Sequence, residues 1–205
     1  APDDGLRERL ANDPRAGVRR LAFPAGTEHG RAEKDAERRR ELSAIERKLR
    51  AEGFTVIAGV DEAGRGPLAG PVAAGCAILP DDTCLPGLDD SKKMTPKSRE
   101  RVYDMIVNTA LAWKVVMADH LDIDELGILG AVLKAMREAV ESLPLRPDMA
   151  IVDGNATPGL ACRERAIIDG DAKCLSIAAA SVLAKVTRDR FMIEMDARFP
   201  GYGFA

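Results

Sequence analysis

The chain has 205 residues, 46% of them hydrophobic, which suffices for one substantial core with an appendage and is too little for two full domains. No stretch reaches the roughly 18 uninterrupted apolar residues of a membrane span, and Ala1-Pro2-Asp3-Asp4 lacks the basic-then-apolar layout of a signal peptide, so a soluble, cytoplasmic protein without membrane association is expected. A net charge of −3 argues against broad phosphate binding, but the charge is uneven: residues 1–50 carry 13 Lys and Arg against 10 Asp and Glu, and the rest carry 17 against 23.

Residues 1 to about 30 mix Pro, Gly and charge without periodicity and read as an irregular lead segment. Arg31 to Arg50 is dense in helix formers, with Leu42, Ile45 and Leu49 at helical spacing, and predicts an exposed helix. Its Arg38-Arg39-Arg40 run could touch a nucleic-acid backbone, although Glu37, Glu41 and Glu46 favour a solvated, charge-balanced face. The expected division is an N-terminal, partly helical extension over 1–52 and a main domain over 53–205.

Thr55 to Val60 is a β-branched, apolar run that stops at Asp61-Glu62, as a buried strand ending in two acids would. Ala63 to Pro67 predicts a tight loop, and Gly70 to Leu79 a second strand pairing with the first as a hairpin. Thr95-Pro96, an N-cap followed by proline at the first helical position, opens a helix to about Ala110. Trp113 to Ala118 predicts a third strand. Asp122 to Ser142 is an amphipathic helix with Leu126, Leu129, Leu133, Met136 and Val140 on one side, ended by Pro144. Met149 to Val152 is a fourth strand, stopped by Asp153-Gly154, and Ala161 to Ile168 a fifth, leading to Asp169-Gly170-Asp171. A long helix from Cys174 to about Arg198 opens with Ala178-Ala179-Ala180-Ser181, residues small enough for close packing. This order predicts an α/β protein, a mixed five-stranded sheet flanked by helices. No apolar heptad runs long enough for a coiled coil, so a monomer is expected.

Carboxylates at the ends of apolar strands beside glycine suit a shared site at a sheet edge. If Asp61, Glu62, Asp153 and Asp171 converge, their mutual repulsion requires cations, and an oxygen-only donor set points to Mg²⁺ or Mn²⁺ over Zn²⁺. Each acid alone also has an ordinary reading: Asp61-Glu62 as a hairpin cap, Asp153-Gly154 as a turn, Asp171 as a helix N-cap. Cys76, Cys84, Cys162 and Cys174 form no Cys-x-x-Cys pair and read as reduced, structural thiols.

The run Ala58 to Val72, AGVDEAGRGPLAGPV, resembles the opening signature of ribonuclease HII, and three more matches follow in that family's order: Leu88-Asp89-Asp90-Ser91-Lys92, Val152-Asp153-Gly154, and Gly170-Asp171 ahead of Ile177 to Arg190. The resemblance covers about Phe54 to Ala205. It implies a ribonuclease H-like fold and a catalytic, metal-binding set of Asp61, Glu62, Asp153 and Asp171 holding two Mn²⁺ or Mg²⁺ ions, with Asp61 bridging both, Glu62 and Asp153 each holding one, and Asp171 completing the set or positioning the water. The substrates implied are RNA–DNA hybrids and duplex DNA containing ribonucleotides, cut on the 5′ side of the ribonucleotide. Gly64, Arg65 and Gly66 are expected to read the ribonucleotide, because glycine lets backbone groups approach a sugar closely. Lys92, Ser91 and Lys185 are candidates for phosphate contacts; for Lys185 and for Arg188-Asp189-Arg190, salt bridging along a helix face is the preferred competitor. Members of the family continue past Pro-Gly-Tyr-Gly-Phe-Ala into a His-Lys-Gly-Tyr segment whose Tyr stacks on the sugar. The chain ends at Ala205, so the resemblance implies C-terminal truncation and, as an alternative function, a catalytically impaired fragment that still binds hybrid.

Overall fold

A computed structural model describes residues 4–22 and 28–204. The chain divides into two compact units, residues 1–41 and 42–205.

In the first unit, α1 (Asp4–Ala11), α2 (Ala16–Ala22) and most of α3 (Glu28–Leu42) are helical, so the lead segment expected to be irregular is largely helix. Pro14 punctuates the segment without dissolving it. The Asp13 carboxylate accepts the Arg15 backbone N–H at 2.9 Å and its guanidinium at 3.0 Å, closing a turn between α1 and α2. That guanidinium holds the Asp13 carboxyl down at about 2. Arg19 then ties α2 to α3 through Glu33 at 3.0 Å. Arg38 pairs with Glu41 at 3.4 Å, in keeping with a charge-balanced face.

The single helix expected over Arg31 to Arg50 is two. The backbone leaves helical geometry at Ser43 (φ −86°, ψ 2°), and α4 (Ala44–Ala51) starts anew as part of the second unit. Leu49 is the reason that the unit boundary falls before α4 and not at the expected 52/53. It is fully buried, in one cluster with Ile57, Met149, Ile151, Cys174 and Ile177.

The second unit is built on a five-stranded sheet of order β3-β2-β1-β4-β5. β1 (Ile57–Ala63) pairs antiparallel with β2 (Val72–Ile78), and β2 with β3 (Ala112–Ala118); β4 (Met149–Asp153) and β5 (Arg163–Ile167) add in parallel. The sheet is thus mixed, with helices on both faces. Ala58, Val60, Val72, Ala74, Cys76 and Val152 face α6 (His120–Glu141), while Ile57, Ala77, Met149 and Ile151 face α5 (Pro96–Thr109) and α7 (Leu175–Arg198). Thr95 caps α5, its hydroxyl accepting the Ser98 N–H at 3.2 Å, with Pro96 at the first position as its sequence predicts.

Three local expectations are corrected. β1 does not stop at Asp61: it runs through Glu62 to Ala63, because Ala73 to Gly75 of β2 continue the ladder opposite. The β1–β2 connection is correspondingly a broad loop from Gly64 to Pro71, not a tight turn. In α6, Leu126 and Leu129 are exposed while Ala131, Val132, Ala135, Met136, Ala139 and Val140 are buried. Gly127, at φ 69°, ψ 163°, breaks the helix just after Leu126 and puts that residue out of phase with the later turns; Leu129 lies beyond the break, off the buried face that Ala131, Ala135 and Ala139 carry.

All four cysteines are free; Cys76 and Cys174 are buried, and burial pushes both thiols up. Among the described residues no helix is long and apolar enough to cross a membrane.

The first turn of α7 needs backbone acceptors from elsewhere, since Cys174 at its N-cap makes no side-chain cap. Glu46 of α4 supplies them: one carboxylate oxygen accepts both the Ser176 N–H and its hydroxyl at 3.0 Å, and the other is buried without a partner. Burial raises the Glu46 carboxyl above its ordinary range. A group raised in the folded state favours folding while protonated and disfavours it once ionised, so Glu46 should lower stability as pH rises through its folded pKa. Glu46→Gln keeps an acceptor and should flatten that slope in thermal unfolding between pH 4.5 and 7. Glu46→Ala leaves the Ser176 N–H unpaired and should cost about 1–3 kcal/mol at any pH.

Candidate active site

The register of two parallel strands builds the centre of the site. Val60 pairs with Val152, so Asp61 and Asp153 occupy the next positions on neighbouring strands about 4.8 Å apart. Alternation puts both on the face of Ile57 and Ile151, under α7. A helix lies directly there because two strand positions on that face are glycine. A Cβ on Gly59 would stand 2.1 Å from the Ser176 carbonyl carbon, and one on Gly75, opposite Asp61, 2.3 Å from the Ala180 oxygen. The small residues of α7 meet those glycines, as its composition suggests. Asp61 is consequently only 4% exposed. Its carboxylate accepts from the Glu62 N–H at 2.7 Å and from the Ser181 hydroxyl.

Asp153 accepts the Gly170 N–H at 2.6 Å, which ties the end of β4 to the turn Gly170–Ala172. The chain enters that turn through Asp169, a non-glycine residue at φ 54°. Asp171 therefore sits inside a 3₁₀ turn ahead of α7 and is not its N-cap. It is buried, and Lys92 reaches its carboxylate at 3.7 Å from the surface. Arg65 lies 3.8 Å from Glu62.

The charges register this crowding. Burial first, then Asp153 and Glu62, push the Asp61 carboxyl well above its ordinary value. Burial and Asp153 raise Glu62, against Arg65 and Lys92. Burial, Asp90 and Asp153 raise Asp171, against Lys92. Burial opposes the charge on Lys92, but Asp171, Asp61, Asp90 and Asp153 outweigh it and hold its ammonium above the usual range. Four acids from three separate places in the sequence thus share one field, with two exposed cations beside it.

The ribonuclease HII family model matches residues 58–205. The chain belongs to the ribonuclease HII family. A ribonuclease HII of Myxococcus xanthus is 48% identical over 202 residues, which is 98% of this chain and 69% of that protein. One of Geobacter sulfurreducens is 54% identical over 161 residues, 78% of this chain and 74% of that protein. Among solved structures, the ribonuclease H2 of Pyrococcus horikoshii superimposes with a TM-score of 0.64 at 29% identity, covering 73% of this chain and 79% of that one. Ribonucleases HII are endonucleases of the ribonuclease H class, and the sheet order and flanking helices are those of the ribonuclease H-like fold.

Within this ribonuclease HII scaffold the remaining expected site residues fall apart into two groups. Arg65, Gly66 and Lys92 lie at the surface and Gly64 is half-buried, with Arg65 and Lys92 reaching toward Glu62 and Asp171. Ser91, expected at a phosphate, is buried, and its hydroxyl shares a 2.8 Å hydrogen bond with that of Ser181, next to Asp61. Lys185 is engaged with Asp189 at 2.6 Å, one helical turn on, as the salt-bridge reading had it. Asp189 also faces Arg99 at 3.5 Å, and Arg99 donates to the Ser91 and Met94 carbonyls at 3.0 and 2.8 Å. The loop carrying Ser91 and Lys92 is therefore clamped from α5 and α7. Sequence reading missed Asp90, Arg99, Ser181, Glu46 and Arg188. Asp90 and Arg188 stood inside quoted motifs and Ser181 ended the small-residue run, so these had a local signal; Glu46 reaches Ser176 across 130 residues and Arg99 reaches Asp189 across 90, and neither had one.

Proposed function

We propose that the chain is a divalent-metal-dependent endoribonuclease that hydrolyses the phosphodiester on the 5′ side of ribonucleotides, both in RNA–DNA hybrids and at single ribonucleotides embedded in duplex DNA. The products are 3′-hydroxyl and 5′-phosphate ends. The observation that carries this reading is the field shared by Asp61 and Glu62 near the end of β1, Asp153 at the end of β4 and Asp171 in the turn ahead of α7.

The donor set fits hard cations. It is all oxygen, three of its members are raised by burial and by other carboxylates, and the nearby Lys92 and Arg65 side chains are 81% and 51% exposed, too solvated to neutralise it. Among the described residues no group of three or more His, Cys, Asp or Glu side chains stands in an ion-holding array, so the fit rests on charge and donor type. We assign Asp61, Glu62, Asp153 and Asp171 as the residues that would hold two Mn²⁺ or Mg²⁺ ions. Such ions supply activation of a water and stabilisation of the leaving 3′ oxygen, the chemistry of two-metal hydrolysis.

The chain's own groups do the rest. Ser181 and the Glu62 N–H fix the Asp61 carboxylate, and the Gly170 N–H fixes Asp153, so that neither has to reorganise when phosphate arrives. Asp171, with its raised affinity for a proton, orients the attacking water. Lys92, on the clamped loop, balances charge at the incoming backbone. The Gly64-Arg65-Gly66 loop meets the ribose, where a 2′-hydroxyl distinguishes RNA from DNA.

The test is a labelled DNA duplex carrying one ribonucleotide, incubated with the chain and Mn²⁺ or Mg²⁺, with the cut mapped at nucleotide resolution. A single cut on the 5′ side of the ribonucleotide is expected. A duplex that stays bound but intact would replace this reading with that of a hybrid-binding fragment, and equal cutting of an all-DNA duplex would remove the ribonucleotide from it.

A further inference from the structure

From Arg65 to Gly70 the loop is solvent-exposed, Leu68 fully so, while Gly64 is half-buried and Pro71 is buried where the chain enters β2. Yet a loop that reads one hydroxyl must be held in place before the substrate arrives, since a displacement of about 1 Å can cost on the order of a hundredfold in rate.

What holds it is a side chain from α7. Arg188 is 6% exposed, donates Nε to the Pro71 carbonyl at 2.9 Å, and donates Nη2 to the Ala69 carbonyl at 2.9 Å. Hydrogen bonds from a charged, planar guanidinium to two carbonyls fix orientation as well as distance. The glycines divide accordingly. A Cβ on Gly64 (φ +99°) would lie 2.2 Å from Arg188 Nε and 2.6 Å from the Pro71 oxygen, so the bareness of Gly64 is filled from inside. A Cβ on Gly66 would meet nothing within 4 Å, so the open space there faces outward.

Helical spacing connects this anchor to the acids. Ser181, Ala184 and Arg188 recur at i, i+3 and i+7 on one face of α7, the face that rests on the Gly59 and Gly75 gaps. Ser181 holds Asp61, and Arg188, about 10 Å further along the axis, holds the loop.

We propose that Arg188 is a positioning residue that sets the Gly64-Arg65-Gly66 loop against the carboxylates, and that Gly66, not Gly64, is the glycine whose missing side chain the substrate uses. This rests on the reading that the loop meets the ribonucleotide.

The experiment compares Arg188→Met, Arg188→Lys and Gly66→Ala with the unmodified chain. Three quantities are read: kcat/KM on the single-ribonucleotide duplex, the Mn²⁺ concentration at half-maximal rate, and the rate of trypsin nicking at the Arg65–Gly66 bond followed by mass spectrometry. Arg188→Met should lower kcat/KM by about 10- to 100-fold, with the Mn²⁺ midpoint unchanged. It should also speed nicking about tenfold or more, because the loop loses both charge-assisted bonds. Arg188→Lys, which can satisfy one carbonyl, should fall between. Gly66→Ala should lower kcat/KM while its nicking rate stays that of the parent.

Arg188→Met with parental nicking and parental kcat/KM would overturn the proposal, as would loss of the Mn²⁺ response in both Arg188 variants, which would mark a collapse of the whole unit. Parental cutting by Gly66→Ala would overturn its second half. Should the unmodified chain fail to cut, the functional reading fails and nicking alone decides whether Arg188 anchors the loop.

Discussion

Asp61→Asn is expected to lower cutting of a ribonucleotide-containing duplex by about a thousandfold or more, the equivalent of about 4 kcal/mol of lost transition-state stabilisation. Asn keeps the shape, and its one carbonyl oxygen can still accept the Glu62 N–H, so the loss would report on charge and not on packing. Stability should move the other way. The Asp61 carboxyl is raised by burial, Asp153 and Glu62, so its ionised form costs the folded state free energy, and the cost grows as pH rises through the folded pKa. In the absence of divalent ions, Asp61→Asn should therefore melt higher than the parent at neutral pH, with the gap closing under acid conditions where both are uncharged. A variant that is inactive and less stable at every pH would point to Asp61 as a packing residue.

Gly59→Val is expected to have the largest effect on the fold. Its first side-chain atom would stand 2.1 to 2.5 Å from the Ser176 carbonyl and the Ile177 nitrogen, and backbone cannot step aside as a flexible side chain can. Overpacking of this kind costs about 3 kcal/mol or more, which in a chain of this size lowers Tm by about 6–12 °C. Moving the start of α7 also disturbs what it carries: Ser181 at Asp61, Arg188 at the loop, and the capping bond from Glu46. Gly59→Ala, with one methyl, should show the same pattern at smaller amplitude in thermal unfolding and in cutting. Gly66→Ala is the natural control for thermal unfolding alone, because that position is open, and its midpoint should stay that of the parent.

The strands were legible because apolar runs end in charged or glycine-rich punctuation, and the pairing of Asp61 with Asp153 follows once β1 and β4 are neighbours in parallel. The alanine-rich opening of α7 likewise announced close packing. Backbone conformation was less visible. Gly127 breaks α6 through a positive φ that the apolar spacing cannot reveal, and Ser43 splits a run whose composition is helical throughout. Pairings across the fold were least visible. Ser91 and Lys92 are adjacent in one polar loop, yet one is buried against Ser181 and the other is at the surface, a difference set by α5 and α7. Arg188 looked like a solvated helix residue because its neighbours are: Asp189 pairs with Lys185, and Arg190 with Glu100 while its guanidinium lies 4.4 Å from the Tyr103 ring centroid.

The central claim is that Asp61, Glu62, Asp153 and Asp171 form one site for divalent cations. The most direct measurement is the thermal midpoint of the chain as a function of Mn²⁺ concentration, beside Asp61→Asn and Asp153→Asn. A ligand that binds only the folded state raises stability with the logarithm of its concentration above Kd. The account predicts a saturable onset and a rising midpoint for the parent, with the response lost or shifted to much higher Mn²⁺ in both variants. An identical response in all three chains would contradict it.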